Sequence, residues 1–261
     1  MNAASATWDS VYAELDHWGD AGTPATLWWR DDDATEATKA LTQLATATAA
    51  GGIPIGLAVI PKEARESLPD VLAQNQNLWP MVHGFSHKNH APSGHKKQEL
   101  GDHRPLSAIK DDLTLGLRCL SAYIRHLPVL VPPWNRISNS VAACIESLGF
   151  IGLSTYGARN SEPIARIVTV NNTHIDLIDW RGSRGFVGET QALEMLLRHL
   201  RHRRSGIVDS TEATGFLSHH LVHDCETWKF IDRVVAKLSH HPAALWLDPR
   251  AVFAAKGTAE A

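Results

Sequence analysis

The chain has 261 residues, 44% of them hydrophobic and 20% charged, with a formal net charge of −3, which suits one water-soluble domain over 1–261. That balance excludes a nucleic-acid binder driven by phosphate contacts, and no apolar run approaches the ~20 residues of a membrane span. Three scattered cysteines, Cys119, Cys144 and Cys225, make neither a disulfide framework nor a cysteine zinc site, and the N-terminal residues lack a basic start followed by an apolar core, so a cytoplasmic location is expected.

Residues 7–18 predict an amphipathic helix with Trp8, Val11, Tyr12, Leu15 and Trp18 on one side, followed by a turn over 19–24. The next stretch, residues 28–34 (WWRDDDA), begins apolar and ends in three adjacent carboxylates, Asp31, Asp32 and Asp33. A buried strand whose C-terminal end opens into a polar site reads this way. Neighbouring carboxylates repel one another, and a cation or a shared proton offsets that cost; an Asp-rich turn also serves as an ordinary helix N-cap. A helix is expected over 35–50, stopped by Gly51 and Gly52, then a strand over 53–60 and helical structure over 62–75, broken at Pro69. A strand over 78–82 runs directly into His83 and His87. Residues 91–105 are polar and read as a loop with some helix, placed over the site. A helix over 106–126, a strand over 127–133 and a helix over 138–148 capped by Gly149 come next. Strands are expected over 150–155, 164–170 and 174–180, a helix over 189–203, a strand over 215–221, a helix over 227–239 and a terminal strand over 244–247.

Apolar strands alternating with helices imply parallel βαβ units, and seven or eight such units in this length fit an α/β fold of the β/α-barrel kind better than an open sheet. The polar clusters follow strand ends, where barrels carry their chemistry. The 15 histidines and 9 tryptophans are both in excess. His83 and His87 are four apart, so one helical turn would place both imidazoles on one face. Two histidines and one carboxylate with an open position form the ligand set of catalytic zinc and related sites. Trp134 and Trp180 suit stacking on a sugar or packing in the core. His90 and His95 read as part of a solvated loop, and His220, alternating with His219, as a structural residue.

Five short stretches in order make the chain resemble the polysaccharide deacetylase (NodB-homology) family. The run from Trp29 to Ala34 resembles the family's Thr-Phe-Asp-Asp-Gly motif. His83-Gly84-Phe85-Ser86-His87 resembles its His-Thr/Ser-x-x-His motif, and Val131-Pro132-Pro133-Trp134-Asn135 its Arg-Pro-Pro-x-Gly motif. Asp176-Leu177-Ile178-Asp179-Trp180 resembles Asp-x-x-Asp-Trp, and Leu217-Ser218-His219 resembles Leu-x-His. The resemblance implies a distorted (β/α) barrel of seven or eight parallel strands, one divalent metal ion, zinc in the first instance, and hydrolytic removal of an acetyl or other acyl group from an N-acetylated sugar or small glycan. The alternatives are hydrolysis of another C–N bond, such as that of a cyclic ureide, and a non-catalytic carbohydrate-binding relative.

Carried over by motif, Asp32 is the catalytic base, Asp33, His83 and His87 the metal ligands, His219 the general acid, and Asp179 the carboxylate that orients it. The Asp register admits a one-residue shift, with Asp31 as base and Asp32 as ligand. Trp134, Asn135, Arg136 and Trp180 are the expected substrate-binding residues. Val131 stands where the family has the arginine that holds the base. Arg30 or Arg136 is expected to supply that charge, and Arg136 is favoured because it follows the same strand.

Overall fold

The computed structural model describes residues 5–159 and 168–254. The elements run α1 (Trp8–Asp20), β1 (Ala25–Ala34), α2 (Lys39–Ala50), β2 (Ile55–Val59), α3 (Leu68–Gln74), β3 (Leu78–His83), α4 (Leu106–Ser121), β4 (Val129–Val131), α5 (Asn139–Ala142), β5 (Gly152–Leu153), β6 (Thr169–Val170), β7 (Ile175–Asp176), α6 (Glu189–Arg204), β8 (Thr214–Ser218), α7 (Cys225–Leu238), β9 (Ala244–Trp246) and α8 (Pro249–Val252).

The strands form one parallel sheet in the order β6-β5-β4-β3-β2-β1-β8-β7, with β9 paired to the first residues of β1. The sheet curls strongly. Trp28 Nε1 on β1 donates to the Asn172 carbonyl beyond β6 at 3.0 Å, and Arg30 NH1 donates to the Ser154 carbonyl beyond β5 at 3.1 Å. β6 and β7 remain the ends of the order, so the barrel is incompletely closed. This is the α/β distorted barrel expected from the sequence.

Alternation along β1 divides its side chains between two apolar cores. Leu27 and Trp29 face the surrounding helices, whose inward sides include Val11, Leu15, Phe230 and Val234. Trp28 faces into the barrel with Met81, Val129, Val131 and Phe253. Each such burial of a large apolar side chain is worth about 1.5–3 kcal/mol. Gly56 makes room for this inner layer: a Cβ there would stand 2.6 Å from the Met81 methyl carbon. The inner layer fills the bottom of the barrel and leaves only its C-terminal mouth for polar chemistry.

Several boundaries differ from the sequence reading. Pro69 sits in the first turn of α3 rather than breaking a longer helix, because proline is tolerated there. The helix expected over 138–148 is the short α5 followed by a tight turn that Gly149 ends at φ 96°. The strand expected over 174–180 joins the parallel sheet only at β7, since Asp179 bends the chain just beyond it and Ile178 bridges antiparallel to Phe186 instead. Of the strand expected over 164–170, residues 164–167 lie outside the described residues. No helix among the described residues is long and apolar enough to cross a membrane.

Candidate active site

The polar mouth of the barrel is a pocket of about 430 Å³, lined by residues from the ends of β1, β3, β4, β7 and β8. Asp32 and Asp33 come from β1, whose register to β2 shifts between Asp31 and Ala34. At that bulge Asp33 adopts φ 71°, so two consecutive carboxylates reach the same pocket although a regular strand would send them to opposite faces. Asp31 points away and is fully buried.

Asp33 Oδ1 lies 3.1 Å from His83 Nε2 and 3.3 Å from His87 Nε2. The helical turn expected to pair the histidines is not what does so. His83 ends β3, and a non-helical bend with Gly84 at φ 57° and His87 at φ 53° brings the second ring back. Buried Glu99 holds this bend through the Phe85 N–H, the Ser86 N–H and the Ser86 hydroxyl. Gly84 is required there, since a Cβ would come within 2.2 Å of Glu99 Oε2.

The donor set fits a divalent cation. His83 Nδ1 is 2.9 Å from the Val131 carbonyl and therefore carries a proton, which leaves the Nε2 lone pair aimed at a carboxylate. Two imidazole nitrogens and one carboxylate oxygen thus converge on one point, and only a metal ion or a proton relieves their repulsion. The electrostatics agree. Burial lowers the His83 pKa, but its hydrogen bond to Asp33 and the charges of Asp32 and Asp33 outweigh that and raise it. Burial likewise works against Asp33 ionisation, yet His83, His219 and His87 hold its carboxyl below the usual carboxylate range.

A second group, His174, His199 and Glu212, is also compact, but its chemistry is different. His174 Nδ1 accepts the Gly215 N–H at 3.0 Å, so its proton sits on Nε2, toward Glu212 at 3.5 Å, and offers no lone pair to a metal. The rings of His174 and His199 stack 3.4 Å apart at 17°. Burial lowers the pKa of both rings and pushes His199 down to about 2, with the charges of His174 and Arg203 adding to the shift.

Arg30 holds Asp32, contrary to the preference for Arg136. Arg30 Nε and NH2 lie 2.8 and 3.0 Å from Oδ1 and Oδ2 of Asp32, and NH2 also donates to Asn135 Oδ1 at 2.6 Å. Ser154 completes the grip from the far side of the barrel. Arg136 instead donates to the Lys97 carbonyl at 2.8 Å. The role expected of Asp179 also needs correction. Its oxygens accept the N–H groups of Arg181, Gly182 and Ser183 and shape a turn. Besides Asp33, the carboxylate that interacts with His219 is Asp176, which accepts from Trp180 Nε1 at 3.0 Å while the Trp180 ring stands edge-on to His219 at 4.8 Å. Burial raises the Asp176 pKa, and the charge of Asp32 adds to that against the opposing pull of His219.

His219 lines the pocket with its Nδ1 buried and unpartnered, so Nε2 is the nitrogen that meets the cavity. Its backbone is fixed from both neighbours. Asp31 accepts from the Ser218 hydroxyl at 2.5 Å and from the His220 N–H at 3.0 Å, and His220 Nδ1 stands 2.5 Å from Asp31 Oδ1. His220 is thus structural, as its alternation implied, and is half of a buried Asp–His pair. Trp134 packs against the His87 ring at 4.4 Å and Trp180 is half-exposed across the cavity.

Six non-glycine residues among those described have positive φ, and five line this pocket: Asp33, His87, Trp134, Asn135 and Arg184. Such conformations cost on the order of 1–3 kcal/mol each and concentrate at functional sites. Sequence reading missed Arg184, Lys97 and Glu99. For Arg184 and Lys97 the only signal was a cation in a loop after a strand end.

No protein-family model and no curated protein matches the chain. Its fold is similar to those of solved structures. A chitin deacetylase from Colletotrichum lindemuthianum is 12% identical, with a TM-score of 0.54, covering 89% of this chain and 88% of that one. A peptidoglycan deacetylase from Bacillus subtilis is 11% identical, with a TM-score of 0.54 over 88% and 90%. A family 4 acetyl xylan esterase from Clostridium thermocellum, solved with a cobalt ion, is 11% identical, with a TM-score of 0.52 over 87% and 89%. At these identities the likeness establishes a shared fold.

Proposed function

We propose that this chain, which shares its fold with polysaccharide and peptidoglycan deacetylases, is a divalent-metal-dependent hydrolase that removes an acetyl or similar acyl group from a sugar amide. The observation that carries the reading is the convergence of Asp33, His83 and His87 beside an Arg30-held Asp32, with His219 in the same pocket. Asp33, His83 and His87 would hold the ion, zinc in the first instance; that a xylan esterase of similar fold was solved with a cobalt ion supports a divalent metal. When bound, such an ion polarises the acyl carbonyl and lowers the pKa of water to about 7.

The chain's own residues supply the rest. Asp32 accepts the proton of the attacking water, and Arg30 fixes both of its oxygens, so the acceptor lone pair is aimed before substrate arrives. His219 donates a proton from Nε2 to the nitrogen that leaves, with Trp180 and Asp176 bracing the ring. An amine cannot leave as an anion at neutral pH, so this proton is the requirement that separates amide from ester hydrolysis. The Asn135 N–H is committed to the Pro132 carbonyl, which leaves the Trp134 N–H as the candidate donor to the developing oxyanion. Trp134 and Trp180 give flat walls against which a sugar ring can lie, and Asn135 and Arg136 give it polar partners.

Acetate release from a panel of N-acetylated mono- and oligosaccharides tests the reading. Release by the wild-type chain that falls about 10²–10⁴-fold in Asp32→Asn supports it. Release from none of the panel, alongside turnover of a cyclic ureide or another C–N substrate, would replace it with the neighbouring hydrolase reading.

A further inference from the structure

We infer that the sugar this pocket takes carries an anionic group, a carboxylate or a phosphate ester, in addition to its acylated nitrogen. The inference rests on the acyl-hydrolase reading for the bond that breaks, but its own basis is the charge lining the cavity.

The pocket's carboxylates are all engaged. Asp32 is gripped by Arg30, Asp33 faces two imidazoles, and Asp176 accepts from Trp180 and from the Ile178 N–H. Its cations at the rim, Lys97, Arg136 and Arg184, all line the cavity, and none has a carboxylate partner among the described residues. Among the described residues the Arg136 side chain donates only to the Lys97 carbonyl, and the Lys97 ammonium lies 5.8 Å from the centre of the Trp134 ring. The Lys97 charge stands over the Trp134 face on which a sugar would rest, in a chain whose net charge is −3.

The placement of Arg184 is built. Asp179 accepts three successive N–H groups of the turn, and its carbonyl accepts the Arg184 N–H at 2.9 Å. The turn closes with Arg184 at φ 59°, a strained conformation for a residue with a Cβ. Lys97 and Arg136 follow β3 and β4, whereas Arg184 follows β7 at the far end of the sheet order. Cations therefore flank the cavity from two walls, with the ligand and base carboxylates on its floor. A neutral glycan needs hydrogen bonds and ring stacking here, not unpaired charges on two sides. An anionic substituent reaching the rim would satisfy them by charge-assisted hydrogen bonds.

The test uses the full chain and three probes: N-acetylglucosamine, N-acetylmuramic acid for the carboxylate, and N-acetylglucosamine 1-phosphate for the phosphate. Binding is read by calorimetry and by quenching of tryptophan fluorescence at low and high salt, and turnover by acetate release. At least one anionic sugar is expected to bind about tenfold or more tighter than the neutral one, with the preference shrinking as salt rises. Arg184→Ala and Lys97→Ala should each collapse that preference severalfold, and Arg184→Lys should restore part of it; circular dichroism checks that the variants fold. Whichever anion wins identifies the group. Equal binding of neutral and anionic sugars, binding of none of the three, or a preference unchanged in both alanine variants overturns the inference. Acetate release that ignores charge keeps the deacetylase reading and removes this one. Tight, salt-sensitive binding of an anion with no release from any probe does the reverse.

Discussion

Arg30 and Asp32 lie two residues apart on one strand and form a two-point pair, Nε to Oδ1 at 2.8 Å and NH2 to Oδ2 at 3.0 Å, with both side chains buried. The geometry follows from β1 itself, since residues two apart project from the same face. Arg30→Lys keeps a charge but loses the planar fork. It is expected to lower kcat by about 10–100-fold while leaving metal content unchanged, a loss to be read against the range for general-base groups. Arg136→Lys should leave kcat much closer to wild type. A larger kcat loss in Arg136→Lys than in Arg30→Lys contradicts this arrangement.

His219 is expected to matter according to the leaving group. His219→Ala should lose about 10²–10⁴-fold on an N-acetyl amide and far less on an activated acetate ester, whose leaving group departs without a proton. Parallel Michaelis curves on the two substrates check this, and equal losses would remove His219 as the acid.

Much of this arrangement was legible in the sequence, and the failures share a cause. The apolar runs placed the strands, and the polar clusters after them placed the mouth of the barrel, because strand ends are where buried alternation stops. The partners of Asp32 and His219 were misread because they depend on curvature. Arg136 follows the strand of the lost arginine, but the curl of the sheet carries the β1 side chain of Arg30 across the interior to Ser154 and Asn135. Asp179 and Asp176 sit three residues apart in one motif, and only the bend after β7 decides which one stands by His219. The bulge at Asp33 is likewise invisible in a run of three identical residues, although it decides which carboxylate faces the histidines.

Asp31 is expected to be a stability residue that also positions the acid. Burial opposes its charge, but the charge and hydrogen bond of His220, with help from His223 and Ser218, hold its pKa low, while Asp31 raises that of His220. Removing one partner of a buried pair strands the other, so Asp31→Ala should cost about 3–5 kcal/mol in urea unfolding. Metal content should persist in whatever protein remains folded. A loss below about 1 kcal/mol would show that the pair does not hold the fold together.

The His174–His199 stack should make the chain acid-labile. Burial, with the charge of His174 next, pushes His199 down to about 2, whereas an unfolded histidine titrates near ~6.5. The unfolded state therefore takes up a proton that the folded state refuses, so this contribution is intact above pH ~6.5 and is lost as pH falls toward 2. From pH 7 to pH 5 the loss is about 2 kcal/mol from His199 alone, and His174 and His223, the latter pushed by burial to about 4, act in the same direction. Urea titrations of wild type and His199→Leu across that range should show a shallower pH slope in the variant; superimposable slopes would contradict the assignment.

The metal content of the purified chain and of His83→Ala tests the central claim most directly. Elemental analysis should find about one divalent ion per wild-type chain, as three protein ligands with an open position require, and less than a tenth of that in His83→Ala. The His174–His199–Glu212 group remains intact in that variant and should bind none. Full occupancy in His83→Ala, or a wild-type chain that hydrolyses its substrate at an undiminished rate after complete removal of metal, would contradict the account.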